Sequence, residues 1–211
     1  MSNKPSAAVS RKKTFLLTET AMLIALLAVM GFTRIGMLPL GPMEITLLLI
    51  PVIVGAISGG IFVSTILGLT FGLISYIQCF TVNPFGMILF EESPFKCFLV
   101  CVVTRVLVGF LSGLIYKACA KHDKKGSWSM VVTSAATSLI NTVLFLGAMA
   151  LLFGSHVFTP EEAAAIGSTD VLHFVIMASV SVNAPVELLV NVILGSAIGK
   201  AVHTAQKRIV K

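Results

Sequence analysis

Apolar runs dominate this chain and dictate what it can fold into. Six of them, over residues 15–31, 45–59, 61–80, 95–116, 127–153 and 171–202, approach or exceed the roughly 20 residues that carry a helix through a bilayer. Inside lipid no water satisfies backbone N–H and C=O groups, so such runs cross it as helices. Composition agrees: 56% of the 211 residues are hydrophobic and 11% charged, with a mean hydropathy of +0.99, against about 25% charged in a soluble domain. The expected fold is an all-α membrane protein, a bundle of six transmembrane helices.

Charge placement gives the orientation. Lys4, Arg11, Lys12 and Lys13 precede the first run; Lys117, Lys121, Lys124 and Lys125 follow the fourth; Lys200, Lys207, Arg208 and Lys211 end the chain. Basic loops stay inside, which predicts that both termini are cytoplasmic. Glu91, Glu92, Glu161, Glu162 and Asp170 fall in the other loops. With run one leaving the cytoplasm and run four returning to it, the segment between starts and ends outside. One helix from Glu44 to Phe80 would measure about 55 Å at about 1.5 Å per residue, too long for about 30 Å of hydrocarbon. A hairpin turning at Gly59 and Gly60 resolves the excess. The chain thus divides into a basic cytoplasmic tail (1–13), a six-helix transmembrane domain (14–204) and a second basic cytoplasmic tail (205–211), in a multi-pass plasma-membrane protein. The opening MSNKPSAAVSRKK reads as that tail and not as a signal peptide, because no small-residue cleavage site with a soluble region after it follows. The net charge of +6 is spread over the ends of the runs, which points to anionic lipid and away from nucleic acid.

Gly55 and Gly59, Gly68 and Gly72, Gly109 and Gly113, and Gly195 and Gly199 stand four apart. That spacing lets helix backbones approach closely in lipid, here for ordinary intramolecular packing. Thr159, Pro160, Glu161 and Glu162 form a helix start, with a hydroxyl cap, a proline in the first turn and a carboxylate to return the capping bond. The short extracellular helix that follows is a lid or a connection. Cys79, Cys97, Cys101 and Cys119 are scattered through apolar segments. Cys97 and Cys101 share a helix face, but no His or carboxylate stands beside them at metal-ligand spacing. Reduced thiols packed as small hydrophobes are expected, with no metal and no cofactor.

Arg105 lies about ten residues into the fourth run, or about 15 Å of helix rise, too deep for an easy reach to water. Ionisable groups at such depth face a cavity or a partner and mark functional sites. Glu187 stands in VNAPVELLVN, where Pro185 should kink the helix, with Asn183 and Asn191 beside it; Asn141 sits in the middle of the fifth run. Together they predict a hydrated pocket between helices four, five and six. Two readings are open. In one, Arg105 pairs with Glu187 and the amides bond neighbouring helices. In the other, the pocket binds a small polar anion, with Arg105 donating two charge-assisted bonds to a carboxylate or phosphate and Asn141 and Asn183 bonding hydroxyls or amides.

The outer loops FTRIGMLPLGPME and QCFTVNPFGMILFEESPF suit a gate or plain connectors, and Phe80, Phe85, Phe90 and Phe95 suit a gate or an interfacial anchor. His156 and His173 are external and isolated. The sequence carries no HExxH, GxSxG or Walker motif, so neither an enzyme nor an ATP-using chain is expected.

The basic tail leading into TETAMLIALLAVM, the short second span entered through LPLGPMEITLLLIPVIVGAISGG and the late NAPVE break together resemble the substrate-binding S components of energy-coupling factor (ECF) vitamin transporters. The similarity runs from Thr18 to Lys200. It implies that Ala21 and Ala25, an AxxxA pair in the first span, pack against a membrane T component. It implies a subunit that captures a water-soluble vitamin from outside, closes loops over it, and delivers it with the T component and two cytoplasmic ATPases by toppling in the membrane. PFGMILFEESPF, VVTRVLVG, LINTVLF and NAPVE are most similar to the pantothenate-type branch, which implies Arg105 as carboxylate ligand and Asn141 and Asn183 as hydrogen-bonding ligands. Glu187 is the weaker ligand, since a carboxylate near an anionic solute must be offset from it or protonated. Two other classes fit the residues: a proton-coupled carrier of a small organic anion using Glu187, and a non-transporting membrane scaffold in which Arg105 and Glu187 pair.

Overall fold

The computed structural model describes residues 7–33, 36–40, 43–123, 127–154, 160–161 and 184–210. Its elements are α1 (Ala7–Phe32), a hairpin of β1 (Met37–Leu40) and β2 (Met43–Thr46), α2 (Leu49–Cys79), α3 (Pro84–Glu92), α4 (Pro94–Phe98), α5 (Thr104–Ala120), α6 (Trp128–Phe153), α7 (Ala184–Val190) and α8 (Ser196–Val210). A π turn at Leu99–Val103 joins α4 to α5, and another at Asn191–Gly195 joins α7 to α8. Five stretches are long and apolar enough to cross a bilayer: Lys13–Phe32, Leu49–Cys79, Pro94–Ala120, Trp128–Phe153 and Ala184–Gln206. Phe62, Phe110, Val143 and Leu151 point outward from them, with Leu151 87% exposed. Large apolar side chains scattered over every outer face suit lipid and not water.

The 31 residues of α2 are two helical segments meeting at Gly60, whose φ of 71° and ψ of −160° suit a residue without a Cβ. The chain reverses there. Gly55 faces the Leu67 side chain twelve positions on, a separation of about 18 Å in a straight helix. The turn at Gly59 and Gly60 is where the sequence predicts it. Two hydrogen bonds set the second segment alongside α1 in the same direction. Ser58 donates from the turn to the Glu19 carboxylate, and Gln78 Nε2 donates to Gly31 O at the far end, 2.5 Å. The first segment, apolar on every face, is buried on every face: Leu49, Val52, Ile53, Val54, Ala56 and Ile57 are at most 2% exposed. Gly195 meets Ile53, and Gly199 meets Ile57.

The second segment of α2 runs antiparallel to α5 along a seam of glycines. A Cβ at Gly72 would stand 2.9 Å from Val102 Cα, and one at Gly113 2.6 Å from Ser64 Oγ; Gly68 and Gly109 face the Arg105 and Ser64 carbonyls. All four glycine pairs thus face a neighbouring helical segment, two of them backbone to backbone, which is the intramolecular role expected of them. A stripe of hydroxyls on α6 completes the packing: Thr137 Oγ1 donates to Ser112 Oγ on α5 at 2.8 Å.

Several local expectations change. Residues 45 and 46 belong to β2, not to a helix, and the segment between α1 and α2 is a paired hairpin with Met37 opposite Thr46. The loop after α2 contains α3, started by Asn83, whose side chain accepts from Gly86 N with Pro84 in the first turn; Ser93 and Pro94 start α4 in the same way. Asparagine or serine before proline is a helix start. Residues 171–183 of the sixth run, His156, His173, Thr159 and Glu162 lie outside the described residues, whereas Pro160 and Glu161 are helical.

Candidate functional site

A cavity of ≈ 170 Å³ opens where α2, α3, the α4–α5 rod, α6 and α7 meet. Its walls hold Arg105, Asn141 and Glu187 together with Gln78, Thr142 and an apolar surround of Phe71, Phe85, Phe145 and Met149. The sequence places the pocket between helices four, five and six; the structure adds the second segment of α2, α3 and Thr46 from the hairpin.

Arg105 is held from three sides. Its Nη1 donates to Val100 O at 2.9 Å and to Thr104 Oγ1 at 3.0 Å, while Thr104 Oγ1 also donates to Val100 O. Val100 lies in the π turn, where the regular i→i+4 ladder is broken and a carbonyl can take side-chain donors. The guanidinium carbon stands 4.7 Å from the Phe145 ring centroid and 5.5 Å from that of Phe71, within the range of cation–π attraction. The π turn and the two rings aim the fork before any solute arrives.

Asn141 on α6 is buried within hydrogen-bonding reach of the Glu187 side chain on α7. Arg105 and Glu187 line the same cavity, but they form no ion pair: among the described residues the ion pair is Lys96 with Glu92, at 3.3 Å. The direct pairing that the sequence left open is not what holds Arg105. Arg105 Nε, Asn141 Oδ1 and Glu187 Oε1 are all buried with no hydrogen-bond partner among the described residues. A buried polar atom without a partner costs about 1–3 kcal/mol, so three on one cavity wall mark a place suited to a polar solute.

Other expected residues separate from the site. Asn191 donates to Ser138 Oγ at 3.2 Å and ties the second π turn to α6. Asn183 lies outside the described residues, one position before the cavity-lining Ala184. Pro185 falls in the first turn of α7, and the irregularity visible in that span is the π turn at Asn191–Gly195. Ala21 and Ala25 are exposed on α1. The four phenylalanines divide: Phe85 lines the cavity, Phe80 and Phe90 stack with Tyr76, and Phe95 is 71% exposed.

Sequence reasoning missed three features. Neither π turn has a residue signature. Glu19 was read as part of an apolar run, yet it anchors the Gly60 turn through Ser58, whose carbonyl also accepts from Gln206 on α8. Cys79, at the end of α2, joins Cys97 and Cys101 on the cavity wall; Cys97 and Cys101, four apart, were a partial signal.

Comparison with known proteins agrees with this geometry. The family model described as "ECF transporter, substrate-specific component" matches residues 15–199. The pantothenic acid transporter PanT of Lactococcus lactis subsp. cremoris (strain MG1363) is 31% identical over 175 residues, covering 78% of this chain and 81% of the relative. A match reaching into every described crossing helix, around a cavity with a positioned cation, leads to one conclusion: this chain belongs to the family of ECF transporter substrate-specific components.

Proposed function

We propose that this protein is the solute-capturing subunit of an ECF importer and takes a small carboxylate vitamin, pantothenate, from outside the cell. One observation carries the reading: Arg105, Asn141 and Glu187 each bring to the same cavity a buried polar atom with no partner among the described residues. Arg105 receives the carboxylate; Asn141, with Asn183, bonds the hydroxyls and the amide; Glu187 stands to the side, held near Asn141. The likeness to a protein named as a pantothenic acid transporter supports the choice of solute. In this reading Leu49–Cys79 crosses twice by its turn at Gly60, giving six crossings with both termini cytoplasmic in the plasma membrane. Ala21 and Ala25 dock on a T component, and two ATPases drive release.

The test is a thermal-shift screen of purified protein against water-soluble vitamins, followed by calorimetry. A solute that binds only the folded state adds about 2.7 kcal/mol of apparent stability at a hundredfold excess over its Kd. A shift with pantothenate that disappears in Arg105→Ala is the expected result. A shift with a different vitamin discards pantothenate but keeps the class, and no shift with any of them overturns the reading. Ala21→Trp with Ala25→Trp should block assembly with the T component and spare solute binding; intact assembly would sink that interface. A second reading, a proton-coupled carrier, draws on the buried Glu187 carboxyl at the cavity. It requires uptake into liposomes under a pH gradient without ATPases.

A further inference from the structure

Three thiols, one from the end of α2 and two from the α4–α5 rod, meet on one wall of the cavity. Cys79 ends α2, Cys97 is in α4 and Cys101 is in the π turn. Their Sγ atoms all lie within 4.8 Å of one another, with Cys79 and Cys101 3.4 Å apart, and all are free thiols. Three sulfurs bound to one metal at about 2.3 Å stand about 4 Å apart, so the cluster needs only sub-ångström adjustment to close on an ion.

The support is rigid. Gly72 packs against Cys101 O and Val102 Cα, fixing α2 to the π turn two turns of helix before Cys79, and Gly86 of α3 covers Cys79 at its Cα and Sγ. All three cysteines line the cavity, which supplies an entry path although each is at most 8% exposed. The donor set is sulfur alone among the described residues. Thiolates select soft ions, and zinc in a structural site takes four ligands where this wall offers three. The Arg105 guanidinium lines the same cavity as the three sulfurs and offsets part of the charge that three thiolates bring.

We propose that Cys79, Cys97 and Cys101 form a three-coordinate site for a soft monovalent d¹⁰ cation, copper(I), in the wall of the solute cavity. The site stands independently of the solute. Full-length protein in detergent, reduced and then freed of reductant, is titrated with copper(I) supplied from a competing chelator. One copper per chain is expected. Cys101→Ser should weaken binding by more than the roughly hundredfold that disturbing a group behind a metal ligand costs, and Cys119→Ser should leave it unchanged. If Cys101→Ser does not fold, as judged by its thermal midpoint, Cys97→Ala carries the same expectation. Copper lost to the chelator by the unaltered protein, or held equally by the Cys101 and Cys97 variants, would overturn the site. Zinc(II) bound more tightly than copper(I) would overturn the assignment to a soft monovalent ion.

Discussion

The glycine seam and the cavity lie on adjacent faces of the same helices, and they are built on opposite rules. Along the seam, Gly68, Gly72, Gly109 and Gly113 give up side chains so that α2 and α5 touch backbone to backbone. Around the cavity, Phe71, Arg105, Asn141 and Phe145 are large or polar and hold the helices apart. Arg105 belongs to both: its carbonyl faces Gly68 across the seam, while its guanidinium lies among the cavity rings. The close backbone contact therefore fixes the root of the side chain that the cavity uses. Dispersion and interhelical contact, not the hydrophobic effect, hold helices together in lipid, and here that contact also serves to position a charge.

Substitutions can separate the two faces. The largest effect is expected from Arg105→Ala, which should weaken carboxylate binding by about 2–5 kcal/mol, as truncating one partner of a buried charge pair does. The thermal midpoint of the solute-free protein should barely move. Calorimetry on the folded variant decides it, and unchanged affinity would take Arg105 out of the site. Next comes the seam. A Cβ at Gly109 would meet the Ser64 carbonyl and stand 3.2 Å from Gly68 Cα, so Gly109→Ala should cost about 1–3 kcal/mol of stability by over-packing. Solute affinity should fall with it if the seam positions Arg105. A variant as stable as the parent would show that the backbones are not in contact there.

A smaller loss is expected where α1 is tied on. Gln78→Leu removes the bond to Gly31 O and should cost about 1 kcal/mol, with faster hydrogen exchange at the C-terminal end of α1 as its sign. The smallest effect belongs to a glycine outside the seam. Among the described residues nothing lies within 4 Å of a Cβ at Gly147, so Gly147→Ala should be neutral or stabilise by up to about 1 kcal/mol through helix propensity. Destabilisation by Gly147→Ala would break the contrast between seam and non-seam glycines.

Much of this was legible because lipid simplifies the code. Arg105, Asn141 and Glu187 stand out in apolar runs, and the structure brings them to one cavity. The glycine pairs and the turn at Gly60 follow from spacing and from a length that one straight crossing cannot use. The hairpin 37–46 and α3 escaped because loop composition hides short elements, although Asn83–Pro84 and Ser93–Pro94 were readable starts. The cysteine cluster escaped because Cys79 is far from Cys97 in sequence, and only the crossing of α2 with the α4–α5 rod brings them together.

By itself, the sequence determined a helical membrane protein, the reversal at Gly60 and the polar residues that must find partners. These follow from local terms: the energy of placing each residue in lipid, and the freedom of a glycine to adopt positive φ. Only the tertiary structure decided what those residues meet. It turned Arg105 toward two rings and a π-turn carbonyl instead of Glu187, set Asn141 beside Glu187, and drew Glu19 to Ser58. Such pairings depend on the rotation and depth of one helix against another, which packing fixes and no single run encodes.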